Sequence, residues 1–282
     1  VIIATDRARR PSDFSDHEVE VETTICPFCE GNEGKTPPEI AAVRASGSPP
    51  NGPDWTVRVV PNKYPALGIE GDLDRRGLGI FDTMNGVGAH EVIIEGPDHD
   101  TPLSDLPDQH VEQILKTWRD RIGDLRRDDR FRYILIFKNH GKSAGASLAH
   151  PHTQLIATPV TPLNVARELE SCRVHFRAKE RCLFCDIIAQ ELAIGDRVVH
   201  VDDNFAVMTP FASRFPFETV ITPMRHQYDF TLISDGDIAA LARTLKKTLK
   251  KLRVSLNDPP YNFVLHNAPN TGREYARRPG YW

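Results

Sequence analysis

Phe131-Arg132-Tyr133-Ile134-Leu135-Ile136-Phe137-Lys138-Asn139 is a β-branched and aromatic run, and its pattern returns as Pro260-Tyr261-Asn262-Phe263-Val264-Leu265-His266-Asn267. Tyr133 and Tyr261 are 128 residues apart, as are Asn139 and Asn267. Working outward, each run follows a helix-patterned stretch, about residues 107–127 in one case and 235–253 in the other. In the second stretch Ile238, Leu241, Leu245, Leu249 and Leu252 recur at three or four, and Lys246, Lys247, Lys250 and Lys251 fill the other face, as on a solvated amphipathic helix. Before the helices come His99 and His226, 127 residues apart, and before those the pairs Cys26-Pro27-Phe28-Cys29 and Cys182-Leu183-Phe184-Cys185. A fixed order of cysteine pair, extended segment, histidine, helix and strand, met twice, predicts two homologous halves. The expected fold class is α+β, each half an antiparallel-rich β-sheet with a covering helix, divided as 1–162 and 163–282.

The chain has 282 residues, 40% hydrophobic and 26% charged, which suits one large or two medium domains. Lys and Arg number 35 against 39 Asp and Glu, a net charge of −4 that argues against a nucleic-acid polymer as partner. No apolar run approaches the roughly 18 residues of a membrane span, and the first residues, Val1 to Arg7, lack a signal-peptide pattern. The expectation is a soluble, cytoplasmic protein with no membrane partner.

Of five cysteines, four fall in the two Cys-x-x-Cys units. An odd count in short pairs suits thiolates that clamp a metal in a reducing compartment, because two intervening residues let one turn present both sulfurs to a tetrahedral ion. A redox pair or unrelated buried thiols are the competing readings. Cys172, alone, reads as a small buried hydrophobe.

The densest constellation is Asn139-His140-Gly141-Lys142-Ser143-Ala144-Gly145-Ala146-Ser147-Leu148-Ala149-His150-Pro151-His152-Thr153-Gln154. In extended backbone, His150, His152 and Gln154 share one face. The Gly/Ser-rich stretch before them lets backbone amides approach an anion. Cys26, Cys29, His99 and His150 can assemble one tetrahedral zinc. That leaves His152 as a free imidazole, largely neutral with an ordinary pKa of about 6.5 and available as a nucleophile.

Cys-Pro-Phe-Cys-Glu-Gly-Asn from Cys26, Pro97-Asp98-His99, and Asn-x7-Ser-x2-His-Pro-His-x-Gln from Asn139 to Gln154 resemble the galactose-1-phosphate uridylyltransferase family of the histidine-triad superfamily. The resemblance runs over essentially the whole chain and implies two histidine-triad-like halves. It implies that His152 attacks the α-phosphorus of a nucleotide sugar, releases hexose 1-phosphate, and passes the nucleotidyl group to a second phosphate. Ser147 and Gln154 would hold phosphate oxygens. The zinc would be structural, fixing His150. Arg7 and Arg10 match the family's paired arginines, and Asn62 in Pro61-Asn62-Lys63-Tyr64-Pro65 its nucleotide-contacting asparagine. Asn139 joins them as a substrate-side residue. A homodimer is implied too.

Three features depart from many uridylyltransferases. Thr153 stands where Gly is usual, and the second Cys-x-x-Cys looks like the plant ADP-glucose phosphorylase branch, whose second zinc would take Cys182, Cys185, His226 and a later histidine. His266 reads as a hydrogen-bonded strand-end residue instead of a ligand. The counterpart of His150 is expected near residue 278, where the sequence reads Arg277-Arg278-Pro279-Gly280-Tyr281-Trp282, so the expectation is a truncated or incomplete second half. The leading reading is UMP transfer between UDP-glucose and a hexose 1-phosphate such as galactose 1-phosphate. The alternative is an ADP-glucose phosphorylase using phosphate as acceptor. A histidine-triad hydrolase is a third. A non-catalytic zinc module is distant, since ribbon pairs lie about 15–20 residues apart and Cys29 and Cys182 lie 153 apart.

Overall fold

The computed structural model describes residues 25–45 and 47–270. Arg7, Arg10 and the closing 277–282 segment lie outside the described residues. The elements run β1 (Ala41–Arg44), β2 (Trp55–Pro61), β3 (Arg76–Leu78), β4 (Phe81–Thr83), β5 (Ala89–Ile94), α1 (Asp108–Leu125), β6 (Tyr133–His140) and β7 (His152–Thr158). They continue as α2 (Leu163–Lys179), α3 (Leu183–Ile194), β8 (Val198–Val201), β9 (Phe205–Met208), β10 (Val220–Pro223), α4 (Asp235–Leu256) and β11 (Tyr261–Leu265).

Two compact units divide the chain. The first holds the described part of Val1–Pro102, with Arg121–Val160 and Pro260–His266. Its six-stranded sheet has the order β1-β2-β5-β7-β6-β11, antiparallel throughout. All six residues of β5 are buried, as a central strand covered on both faces demands. Register places Ile94 opposite His152, Val92 opposite Gln154 and His90 opposite Ile156. Side chains alternate along a strand, so His90, Val92 and Ile94 share one face with His152 and Gln154. The other face carries Thr153, Leu155 and Ala157, all fully buried. Arg121 of α1 forks onto Glu91 of that face at 2.7 and 2.8 Å.

The second unit holds Leu103–Asp120, Thr161–Pro259 and the described part of Asn267–Trp282. Its sheet is three-stranded, β10-β9-β8, with β9 entirely buried and α4 packed on it. Ser234 caps α4 by accepting from the Asp237 N–H at 3.1 Å, and Asn257 ends it in the left-handed region. The lysine face of α4 is paired: Lys246 contacts Asp108, and Lys250 lies 3.7 Å from Asp105.

The fold is α+β with antiparallel sheets, as the sequence predicts, with two differences of detail. The 260–267 run, expected to close the second half's sheet, forms β11 and pairs with β6 in the first unit. Helices α2 and α3 were not foreseen. Only Val165 and Cys172 are buried along α2, too few to set an amphipathic period. Cys182 and Cys185 accordingly lie at the start of a helix, Cys182 as its N-cap and Cys185 in its first turn, instead of in a simple turn.

Candidate functional site

The Cys26–Cys29 turn is closed by Asn32, whose side chain donates to the Cys26 carbonyl at 2.9 Å and whose N–H donates to the Cys29 carbonyl at 3.1 Å. His99 follows Asp98, which itself accepts from Thr101 and from the Asp100 N–H. His150, fully buried, immediately precedes Pro151 and β7. Sγ of Cys26 and Cys29 and Nδ1 of His99 and His150 all lie within 4.8 Å of one another. Three sulfur–nitrogen separations are 3.4, 3.6 and 3.7 Å. A tetrahedral ion with bonds of about 2.3 Å to sulfur and 2.0 Å to nitrogen requires an S···N edge of about 3.5 Å. These three separations therefore match the edges of a tetrahedral metal site. The second nitrogen of His150, Nε2, donates to the Gly96 carbonyl at 2.8 Å and so turns Nδ1 toward the cluster. Without a metal, burial pushes the Cys29 thiol up to about 11, with Cys26 adding to the rise.

His152 is the next residue on that face. Its Nδ1 lies 2.8 Å from the His150 carbonyl, which can only accept, so Nδ1 carries the proton and Nε2 is the bare nitrogen. The Phe28 ring packs edge-on against it, centroids 5.4 Å apart. Burial first, and then the positive Lys138 nearby, hold the His152 imidazole below the usual histidine range.

Gln154, two residues on, places Oε1 3.1 Å from Nε2 of His90. Asn62 places Nδ2 3.1 Å from the same nitrogen while its Oδ1 accepts from the Tyr64 N–H. The structure thus brings His150, His152, Gln154 and Asn62 together. Asn139 faces Asn262 of β11, whose Nδ2 donates to Asn139 Oδ1 at 2.7 Å and to the Ala144 carbonyl at 2.8 Å. Its side chain is thereby engaged with the Gly/Ser loop. Gly141 (φ 84°) and Gly145 (φ 88°) let that loop turn, and a Cβ on Gly141 would approach Cβ of Pro260 to 3.0 Å. Ser147 is exposed in this loop.

Three residues escaped sequence reasoning. His90 is one. The others are Lys138 and Glu95, a buried ion pair at 2.7 Å behind β7. Lys138 also donates to the His152 carbonyl at 3.3 Å, and the Thr153 hydroxyl donates to Glu95. The signal was present: charged residues interrupt otherwise apolar strand runs at Glu91, Glu95 and Lys138.

In the second unit Cys182, Cys185 and His226 form a three-donor group, with Cys185 Sγ 3.3 Å from His226 Nδ1. Burial raises the Cys185 thiol to about 11, with Cys182 contributing. Among the described residues no fourth His, Cys, Asp or Glu completes it. His266 is exposed and Cys172 is buried.

Residues 55–162 match the N-terminal domain of galactose-1-phosphate uridyl transferase and residues 168–278 match its C-terminal domain. The chain is 35% identical over 274 residues to ADP-glucose phosphorylase of Arabidopsis thaliana, covering 95% of this chain and 75% of that protein. It is 30% identical over 271 residues to galactose-1-phosphate uridylyltransferase of Thermotoga maritima, covering 95% and 77%. Among solved structures, the Arabidopsis ADP-glucose phosphorylase with bound ADP-glucose superposes with a TM-score of 0.77 at 33% identity, over 95% of this chain and 79% of that one. A uridylyltransferase superposes at 0.79 and 31% identity, over 95% and 77%. No helix among the described residues is long and apolar enough to cross a membrane. With both domain matches in sequence order on an antiparallel α+β fold, this chain belongs to the galactose-1-phosphate uridyl transferase family of nucleotidyltransferases and is similar to its plant ADP-glucose phosphorylase branch.

Proposed function

We propose that the chain transfers a nucleoside monophosphate group by double displacement through His152. The observation that carries this reading is the 2.8 Å contact from His152 Nδ1 to the His150 carbonyl, which leaves Nε2 unprotonated and aimed away from that bond. In the first displacement the Nε2 lone pair bonds to the α-phosphorus of a nucleoside-diphosphate sugar. The bond from that phosphorus to the bridging oxygen breaks, and hexose 1-phosphate leaves with its electron pair. In the second, an oxygen of the acceptor phosphate takes the nucleotidyl group, the N–P bond breaks, and imidazole is restored. Gln154 and Ser147 are assigned to phosphate oxygens, and Arg7, Arg10, Asn62 and Asn139 to the substrate side, Asn139 by holding the Gly/Ser loop through Asn262.

Two donors suit this chemistry. ADP-glucose with inorganic phosphate, yielding ADP and glucose 1-phosphate, is supported by the 35% identity to ADP-glucose phosphorylase, by Thr153 and by the second Cys-x-x-Cys. UDP-glucose with galactose 1-phosphate, the first expectation from sequence, is supported by the 30% identity to a uridylyltransferase. On these grounds the adenylyl reading moves to first place.

Zinc is the ion assigned to Cys26, Cys29, His99 and His150, and to Cys182, Cys185 and His226 with one further donor, because thiolate and imidazole sets suit it. Bound at the first cluster, it supplies a rigid cross-link between the Cys26–Cys29 turn and the start of β7. Residues 1–162 are the proposed catalytic half and 163–282 its homologue. The family resemblance supports a homodimer, and five cysteines outside any disulfide suit the reducing cytoplasm.

Intact mass after mixing with each donor alone tests the reading. An AMP adduct discharged by phosphate supports the phosphorylase assignment. A UMP adduct discharged by hexose 1-phosphate restores the uridylyl one. A zinc-loaded protein that forms neither adduct is not a nucleotidyltransferase for these donors.

A further inference from the structure

We infer that His90 is a positioning residue that fixes which end of the Gln154 amide faces the phosphate groups, an inference that rests on the nucleotidyl-transfer reading above. His90 is buried on β5, on the same sheet face as His152 and Gln154. Its Nδ1 lies 3.1 Å from the backbone nitrogen of Ala66. A backbone N–H can only donate, so Nδ1 must be bare, and neutral His90 carries its proton on Nε2. The opposite tautomer would set two N–H groups against each other and leave a backbone donor unpaired, the costlier outcome for a rigid group.

The consequence passes outward one group at a time. Nε2–H, 3.1 Å from Gln154, is a donor and therefore selects the amide oxygen as its partner. With Oε1 held by His90, the Gln154 NH2 is left pointing away as a donor. Asn62 behaves alike. Its Oδ1 is held by the Tyr64 N–H, and its NH2, 3.1 Å from a nitrogen that is itself a donor, has no acceptor in His90. Two amide side chains, oriented by Ala66 and Tyr64 through an imidazole and a short turn, meet at Nε2 of His90, and Gln154 shares the sheet face of His152. Such a donor pair suits an anion, here the oxygens of a nucleoside diphosphate. Without His90, Gln154 is free to present its oxygen, which would repel the same ligand.

Two measurements test this. In the metal-loaded, 15N-labelled full chain, a long-range 1H–15N spectrum should show His90 with Nε2 protonated and Nδ1 bare, assigned by difference from His90→Phe. A proton on Nδ1 overturns the inference. In rapid-quench kinetics at saturating donor, H90F should slow nucleotidyl-His152 formation by roughly tenfold to hundredfold, since misdirecting one oriented group costs about that much, with weaker donor binding and a lower melting temperature from the stranded Ala66 N–H. His90→Gln, which restores an N–H near the Nε2 position, should recover most of the rate. In a Gln154→Ala background, H90F should add less than about twofold, because His90 acts through Gln154. A wild-type rate for H90F, or a full independent loss in that background, overturns the inference while leaving adduct formation by the wild type intact. Absence of any adduct from the wild type defeats the transfer reading itself and with it the phosphate role of His90.

Discussion

His150 and His152 are tied head to tail: the carbonyl of the first accepts from Nδ1 of the second at 2.8 Å, while the imidazole of the first points into the Cys26–Cys29–His99 cluster. One backbone segment thus carries both a metal donor and the nucleophile we assign. Whatever fixes His150 also fixes the orientation of the His152 ring.

Replacing His152 with Ala should abolish the nucleotidyl adduct while metal content and fold persist. The side chain is no member of the cluster, and its loss removes an imidazole packed on Phe28. Intact mass with donor, and metal analysis of the same sample, check this. Turnover like that of the wild type would sink the mechanism.

Replacing Cys29 with Ser should lower the metal content by one equivalent per chain, and chelation by two, and either should free His150 from its cross-link. The expected result is at least a tenfold loss in adduct formation, the lower end of what disturbing a metal site's support costs, with a lower melting temperature. Thermal denaturation with and without a chelator, followed by zinc readdition, provides the measurement. Full activity in a sample shown to hold no metal would refute the positioning role.

Lys138 and Glu95 are both buried, with side chains 3% and 0% exposed. Lys138→Met leaves Glu95 unpaired and should cost about 3–5 kcal/mol, whereas pairing it with Glu95→Leu should recover much of that loss. Urea denaturation of the single and double variants decides the matter. Equal destabilisation by both would mean that packing, and not the stranded charge, sets the cost.

Glu33 gives the expected pH dependence. Burial pushes its carboxyl up, but the Trp55 indole N–H at 2.9 Å, backbone N–H groups and the nearby Arg58 outweigh that and hold it below its ordinary value. A carboxyl lowered in the fold contributes stability that is full above its unfolded value of about 4.5 and is lost as pH falls through its lowered folded value. The melting-temperature gap between wild type and Glu33→Gln should therefore shrink between about pH 6 and pH 3. A gap constant over that range would show that the charge is immaterial.

Much of the site was legible because its chemistry is local. Cys26 and Cys29 are three positions apart, and His150, His152 and Gln154 alternate along one strand, so spacing alone predicts convergence. Helices α1 and α4 were legible through apolar periodicity. Helix α2 was not, since Val165 and Cys172 are its sole buried positions. Nor did any local pattern mark His90, whose importance comes from standing across from β7.

The sequence by itself determined the repeat, the α+β class, the cysteine–histidine donor set and the candidate nucleophile, because residue chemistry and short-range spacing are written directly in it. Only the tertiary structure decided that β11 joins the first unit's sheet, that Lys138 and Glu95 form a buried pair behind β7, and that Ala66 sets the proton on His90. Each of these depends on contacts between segments that are not neighbours in the chain. Pairing across 123 residues, as for Asn139 and Asn262, is fixed by the packing of the whole sheet and not by any neighbour in sequence.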